Sequence, residues 1–314
     1  MSTDSPSMAS TQPTLPVHGQ FSGLWVALVT PFKPNGDIDH AALHRLVSRL
    51  AAEGVRGLVA CGSTGEAAAL DAAEQRAVLD TVLDAAQHAG GLPVIAGAGG
   101  LHLGDVRAWL RTLSGLSLAG VLLPAPHYIR SSQAGAIDWF TALADASPAP
   151  LVLYDIPYRT GTTLTRDTLL TLAAHPNIAA IKDCGGDTGK TLALIADGRL
   201  QVLAGEDLNL FATVAQGGAG AIAATAHLHT RRLVDIVDLL QRGDLVAAQA
   251  LWLPLLPYLE AAFAEPNPAP LKALLAHRGE MGETLRSPMH PVSAALRDRL
   301  IAIHQTLGES AVTR

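Results

Sequence analysis

The sequence predicts a (β/α)8 TIM barrel with a C-terminal helical appendage, and three observations predict it. Eight short runs of Val, Ile, Leu and Ala, bounded by Gly or Pro, alternate with longer segments of helical spacing. Beyond Thr225 the alternation stops and only helical periodicity remains. The composition, 49% hydrophobic, 16% charged and 4% aromatic, suits an interior built mainly from aliphatic side chains. A chain of 314 residues accommodates such a barrel as one domain. A doubly wound open sheet is the alternative architecture for the same alternation.

Residues 1–20 are rich in Ser, Thr, Pro and Gln and carry no basic segment followed by an apolar core. They are expected to form a disordered leader rather than a signal peptide. The barrel is expected over 21–243 and the helical region over 244–314. The strand runs are Leu24–Thr30, Gly57–Cys61, Pro93–Ala98, Gly120–Pro124, Leu151–Tyr154, Ile178–Lys182, Gln201–Gly205 and Ala221–Thr225. Helices are expected to begin near Asp39, Asp71, His102, Ser132, Thr165, Thr188, Asp207 and Thr230. In Asp71-Ala72-Ala73-Glu74 the Glu is spaced to complete a capping box. Further helices are expected at about 229–242, 245–263, 270–278 and 291–307, punctuated by Pro254, Pro257, Pro266, Pro268 and Pro270. This region reads as the last barrel helix and an appendage, not a separate catalytic unit.

A net charge of -6 offers no basic face for nucleic acid and no polybasic membrane patch. No apolar run approaches the length of a membrane span. Cys61 and Cys184 form no CxxC pair, which fits a reducing compartment, and the cytoplasm is expected.

In a barrel, chemistry sits where the strands end. The sixth run ends on Lys182, one of four lysines, which leaves eighteen arginines among the 22 basic residues. A neutral amine in apolar surroundings attacks carbonyl carbons, so Lys182 is a candidate Schiff-base nucleophile. Taken alone, a strand-end lysine more often reaches solvent along its methylene stem. Its company decides for chemistry. After the second run comes Gly62-Ser63-Thr64-Gly65-Glu66, a turn able to hold a carboxylate or phosphate on backbone N–H groups. The fifth run ends on Tyr154, a candidate proton donor and acceptor, and continues into Asp155-Ile156-Pro157-Tyr158-Arg159-Thr160-Gly161. There Arg159 is suited to a bidentate grip on a carboxylate. Singly, these also read as a glycine turn, a core aromatic and a surface arginine.

Other motifs are imitations. Gly186-Asp187-Thr188-Gly189-Lys190-Thr191 resembles a P-loop, but its required first glycine falls on Cys184. Gly97-Ala98-Gly99-Gly100 and Gly217-Gly218-Ala219-Gly220 are weak phosphate-loop signals. His227 and His229 lack a partner set that would complete a metal site.

The strand-end motifs, with Ile181-Lys182-Asp183 and Leu285-Arg286-Ser287-Pro288-Met289, resemble the dihydrodipicolinate synthase/N-acetylneuraminate lyase family in order and spacing, from about Gly23 to Met289. The resemblance implies a class I aldolase-type barrel joining pyruvate to an aldehyde through a lysine imine, with no metal or organic cofactor. It makes Lys182 the Schiff-base lysine and Tyr154 the proton-moving tyrosine. Ser63 and Thr64 become the turn that binds the pyruvate carboxylate, with Thr64 also in the proton relay. Tyr128, in His127-Tyr128, becomes the tyrosine a neighbouring subunit inserts, which implies a homodimer or a dimer of dimers. Arg159 becomes the arginine that binds the second substrate's carboxylate, and Gly205 and Ile222 join the substrate-binding set.

Arg159 in its Tyr-x-x-Pro-x-Arg-Thr-Gly context favours the synthase branch, whose second substrate is L-aspartate 4-semialdehyde on the route to lysine. The alternatives are a related aldolase, lyase or hydratase for N-acetylneuraminate or 2-keto-3-deoxy sugar acids, and a barrel that binds a 2-oxo acid without turnover. Asp155 stands where the family usually has Asn, and Tyr158 where the synthases usually have a small residue; both are expected to reshape the second-substrate pocket. Leu101, His127, Ala72 and Gln75 replace polar or aromatic positions of lysine-inhibited synthases, so feedback by lysine is expected to be weak or absent.

Overall fold

The computed structural model describes residues 19–308. The expected leader lies outside them except for its last two residues. Eight parallel strands close into a barrel in sequence order. They are β1 (Gly23–Ala27), β2 (Gly57–Ala60), β3 (Val94–Gly97), β4 (Gly120–Pro124), β5 (Leu151–Asp155), β6 (Ile178–Asp183), β7 (Gln201–Ala204) and β8 (Gly220–Ala223). β1 pairs with β8, Trp25 opposite Ile222, and this closes the ring. An open sheet is thereby excluded. Most expected strands ran one to three residues too far at the carboxyl end, because the chain there turns outward into the loops of the mouth.

The helices around the ring are α1 (His40–Ala52), α2 (Ala72–His88), α3 (Leu103–Thr112), α4 (Gln133–Ala144), α5 (Pro157–Thr160), α6 (Arg166–Leu172), α7 (Thr188–Asp197), α8 (Leu210–Ala215) and α9 (Thr230–Gln241). Their starts follow the caps in the sequence. Asp39, Ser132 and Thr165 each accept from a backbone N–H of the first turn, and Asp71 with Glu74 forms the full capping box. α1 buries Leu43, Leu46, Val47 and Leu50 on one stripe, which is how each helix covers the barrel's outer face. In the single turn α5, Pro157 at the start favours the helix and Gly161, at φ 71°, ends it.

Beyond the barrel lie α10 (Leu245–Trp252), α11 (Leu256–Ala261), α12 (Ala269–His277) and α13 (Ala294–Leu307). The single helix expected over 245–263 is broken between α10 and α11, where Pro254 and Pro257 remove amide donors. These helices share the barrel's core. The Tyr258 hydroxyl donates to the Thr225 carbonyl at 2.7 Å, and its ring meets His229 edge-on at 5.1 Å. Among the described residues, no helix is long and apolar enough to cross a membrane.

His227 and His229 belong to this seam, not to a metal site. The His227 ring is fully buried; Nε2 accepts from the Val29 N–H at 3.1 Å, so Nδ1 carries the proton and donates to the Ala224 carbonyl at 2.7 Å. Burial pushes His227 down to about 4, and burial with the neighbouring His304 pushes His229 down to about 3. Both folded values lie below the unfolded value near 6.5. Their contribution is therefore complete above that pH and shrinks as pH falls toward the folded values. For His227 the loss at pH 5 is about 2 kcal/mol. Unfolding followed at pH 7 and pH 5 should show a smaller loss of stability in a His227→Gln variant than in the parent. Equal losses would contradict the assignment.

Candidate active site

β5 and β6 are neighbours in register, with Tyr154 opposite Lys182 and Asp155 opposite Asp183. That pairing places the phenol and the amine side by side at the barrel mouth. The Lys182 Nζ lies 4.5 Å from the centre of the Tyr154 ring, and both side chains are buried. They line a cavity of about 450 Å3 together with Ser63, Thr64, Tyr158 and Arg159. Site residues drawn from three separate stretches of sequence thus meet in one place.

Lysine scarcity was a weaker argument than it looked, because Lys190 and Lys272 are buried as well. What separates the three is pairing. Lys190 is ion-paired with Asp155, and Lys272 with Glu66 at 2.5 Å. Among the described residues, no carboxylate lies within ion-pair distance of Lys182. Gly205 makes room for its stem: a Cβ there would overlap the Cys184 thiol and sit 2.9 Å from Lys182 Cγ.

The Gly62–Glu66 turn is held from three sides. The Thr30 hydroxyl donates to the Gly65 carbonyl at 2.7 Å. Glu66, in the left-handed region at φ 54°, reaches back to Lys272 and accepts from the Arg286 N–H at 3.0 Å. Arg286 in turn grips Glu74 through two nitrogens at 2.7 and 2.6 Å. Among the described residues, the backbone N–H groups of Ser63 and Thr64 reach no acceptor. Two free amide donors beside a buried amine make a receptor for a carboxylate.

The two hydroxyls of the turn have different partners. Thr64 Oγ1 accepts from Asn267 Nδ2 at 2.8 Å, whereas Ser63 hydrogen-bonds the Tyr154 phenol. Burial, then the adjacent Cys184 thiol, holds the Tyr154 hydroxyl well above its ordinary value, and the Ser63 bond opposes this. Tyr154 is thereby kept a neutral phenol, able to donate a proton and recover it through Ser63.

Ile222 is fully buried and absent from the cavity lining. Ala224, two residues on and on the same side of the chain, lines it instead, so Ile222 sits one layer deeper. Asp155 does not line the cavity: it is buried and turned toward Lys190 on α7. Tyr158, 66% exposed, does line the cavity beside Arg159. Tyr128 is absent from the lining of the cavity around Lys182; it is 89% exposed, at φ 72°.

Three features were missed. Glu206 and Asp207 follow β7 into the cavity wall, and Asp207 is buried, accepting from Thr225 N at 2.7 Å and Thr225 Oγ1 at 2.5 Å. Burial raises Asp207 above the ordinary carboxylate range, against those hydrogen bonds. The segment 263–267, ending on Asn267, closes the mouth from the C-terminal region. The strand-end position of Glu206-Asp207 was a usable signal; nothing local marked Asn267. A second cavity of about 670 Å3, lined by Gln75, Gly99, Gly100 and His127, lies across the partition formed by Ser63, Tyr154 and Arg159. Among the described residues, the one grouping with metal-ligand spacing is His44, Asp84 and His88, on the outer surface of α1 and α2.

The model of the dihydrodipicolinate synthetase family matches residues 20–307. The chain belongs to that family. It is 38% identical over 286 residues to the 4-hydroxy-tetrahydrodipicolinate synthase of Trichlorobacter lovleyi, covering 90% of this chain and 97% of the relative. With the enzyme of that name from Sorangium cellulosum the identity is 40% over 283 residues, covering 89% and 93%. Among solved structures, it is similar to the chloride-inhibited dihydrodipicolinate synthase of Acinetobacter baumannii complexed with pyruvate. The TM-score is 0.88 at 30% identity, covering 91% of this chain and 98% of that one.

Within this family frame, the Lys272–Glu66 pair is what fixes the amide turn. Lys272→Met would leave Glu66 buried without its cation and is expected to cost about 3 kcal/mol. Adding Glu66→Gln should recover part of that loss. Denaturant unfolding measures both, and a Lys272→Met protein as stable as the parent would contradict this picture of the turn.

Proposed function

We propose that the chain is a Schiff-base-forming lyase of the 4-hydroxy-tetrahydrodipicolinate synthase type, condensing pyruvate with L-aspartate 4-semialdehyde on the route to lysine. The observation that carries this reading is the buried Lys182 amine, without a carboxylate partner among the described residues, between the Tyr154 ring and the free amides of the Ser63–Thr64 turn. Those amides hold the pyruvate carboxylate. Lys182 Nζ adds to the C2 carbonyl, water leaves, and the resulting imine draws electrons from C3. Loss of a C3 proton gives the enamine, whose carbon attacks the aldehyde. Tyr154 and Ser63 move the protons. Arg159 holds the carboxylate of the incoming semialdehyde at the cavity mouth. The lysine imine is itself the electron sink, so the mechanism calls for no cofactor.

Tyr128 is assigned to the neighbouring subunit's site. A left-handed backbone on an exposed aromatic is strain of the kind kept at functional positions. The active species is then at least a homodimer, in a dimer of dimers, located in the cytoplasm. Of the two residues that favoured another aldehyde, Asp155 points away from the cavity and only Tyr158 remains at its mouth. This keeps the synthase ahead of a sugar-acid lyase.

Turnover decides between them. Pyruvate with L-aspartate 4-semialdehyde should give the highest kcat/KM, above cleavage of N-acetylneuraminate or 2-keto-3-deoxy sugar acids; the reverse order would overturn the choice. Arg159→Ala should raise KM for the semialdehyde about tenfold or more, as loss of a charge-assisted contact does. L-Lysine added to the assay should inhibit weakly or not at all.

A further inference from the structure

The false P-loop has a use that its glycines concealed. Its Lys190, on α7, is buried at 4% exposure and reaches three acceptors from three parts of the chain. It is bonded to the Asp155 carboxylate that follows Tyr154, and lies 3.8 Å from the Asp183 carboxylate that follows Lys182. At 3.5 Å it also donates to the carbonyl of Leu164. Asp155 completes the arrangement by accepting from the Leu164 N–H at 3.3 Å. Both backbone groups of Leu164 are therefore held by one ion pair. Between Asp155 and Leu164 the chain makes an excursion over the barrel mouth, and that excursion carries Tyr158 and Arg159.

We propose that the Lys190–Asp155 pair is a clasp that closes the base of this excursion and thereby sets the position of Arg159 for the second substrate. Lys190 is a positioning residue: it touches no reacting atom and does not line the cavity. Three neighbours are shaped to it. A Cβ on Gly185 would overlap Lys190 Nζ, so only glycine leaves the space. Asp183 is kept in place by the Thr191 hydroxyl, which donates to Oδ2 at 2.6 Å, and by the Gly185 N–H, which donates at 2.8 Å to Oδ1, the oxygen facing Lys190 at 3.8 Å. Asp155 itself stands where the resemblance leads one to expect Asn, and a neutral amide there would leave Lys190 only the more distant Asp183 as counter-charge. The carboxylate and the lysine thus belong together, as a buried pair whose single members are costly and whose geometry is specific.

This inference rests on the proposed reaction, and its test separates the two. Lys190→Met alone leaves two buried carboxylates facing each other and is expected to destabilise the fold. Asp155→Asn/Lys190→Met removes the charge along with the cation, and its thermal stability should return toward the parent's. In that folded double variant, borohydride trapping of pyruvate should match the parent while KM for the semialdehyde rises about tenfold, as for a displaced charge-assisted contact. Gly185→Ala, which crowds Lys190 from the other side, should raise the same KM and leave pyruvate trapping intact. Semialdehyde KM within twofold of the parent in both variants would overturn the clasp. Failure of the parent protein to trap pyruvate would instead overturn the proposed reaction.

Discussion

The register between β5 and β6 is the constraint on which the site depends. Parallel pairing puts Tyr154 opposite Lys182 and, one step later, Asp155 opposite Asp183. Because side chains alternate across a strand, the first pair faces the cavity and the second faces the surrounding helices. A slip by one residue would exchange them, sending the amine outward and a carboxylate into the mouth. The reactive pair and the structural pair are therefore fixed by one set of backbone hydrogen bonds.

Three buried lysines show how context assigns chemistry to identical side chains. Two are neutralised by carboxylates and do mechanical work: Lys272 anchors the amide turn through Glu66, and Lys190 meets Asp155 behind the strand ends. Lys182 lies against the Tyr154 ring and, of the three, is the one left without such a partner among the described residues. An ion pair would occupy the amine that the reaction needs. The distinction lies in what surrounds each amine, not in its sequence neighbours.

Much of this was legible in the sequence. Short apolar runs, glycine and proline borders, and capping residues such as Asp71 located the elements of the barrel, since those signals are local. Strand-end position picked out Lys182, Tyr154 and the Gly62–Glu66 turn, because parallel barrels collect their strand ends on one rim. What escaped was set by tertiary geometry. Asn267 reaches Thr64 across 203 positions of chain, and no local pattern announces it. The different partners of Ser63 and Thr64 depend on which way two adjacent hydroxyls point. Depth hid the difference between Ile222 and Ala224, which share a side of the strand but lie in different layers. Asp155 misled for a related reason: it adjoins Arg159 in sequence, yet its side chain belongs to the opposite face of the sheet.

The most direct measurement is to incubate the intact protein with pyruvate and sodium borohydride, digest it, and locate the reduced adduct by peptide mass. The account predicts a single modified lysine, Lys182, with Lys33, Lys190 and Lys272 unmodified. An adduct on another lysine, or turnover of pyruvate with no adduct, would contradict it.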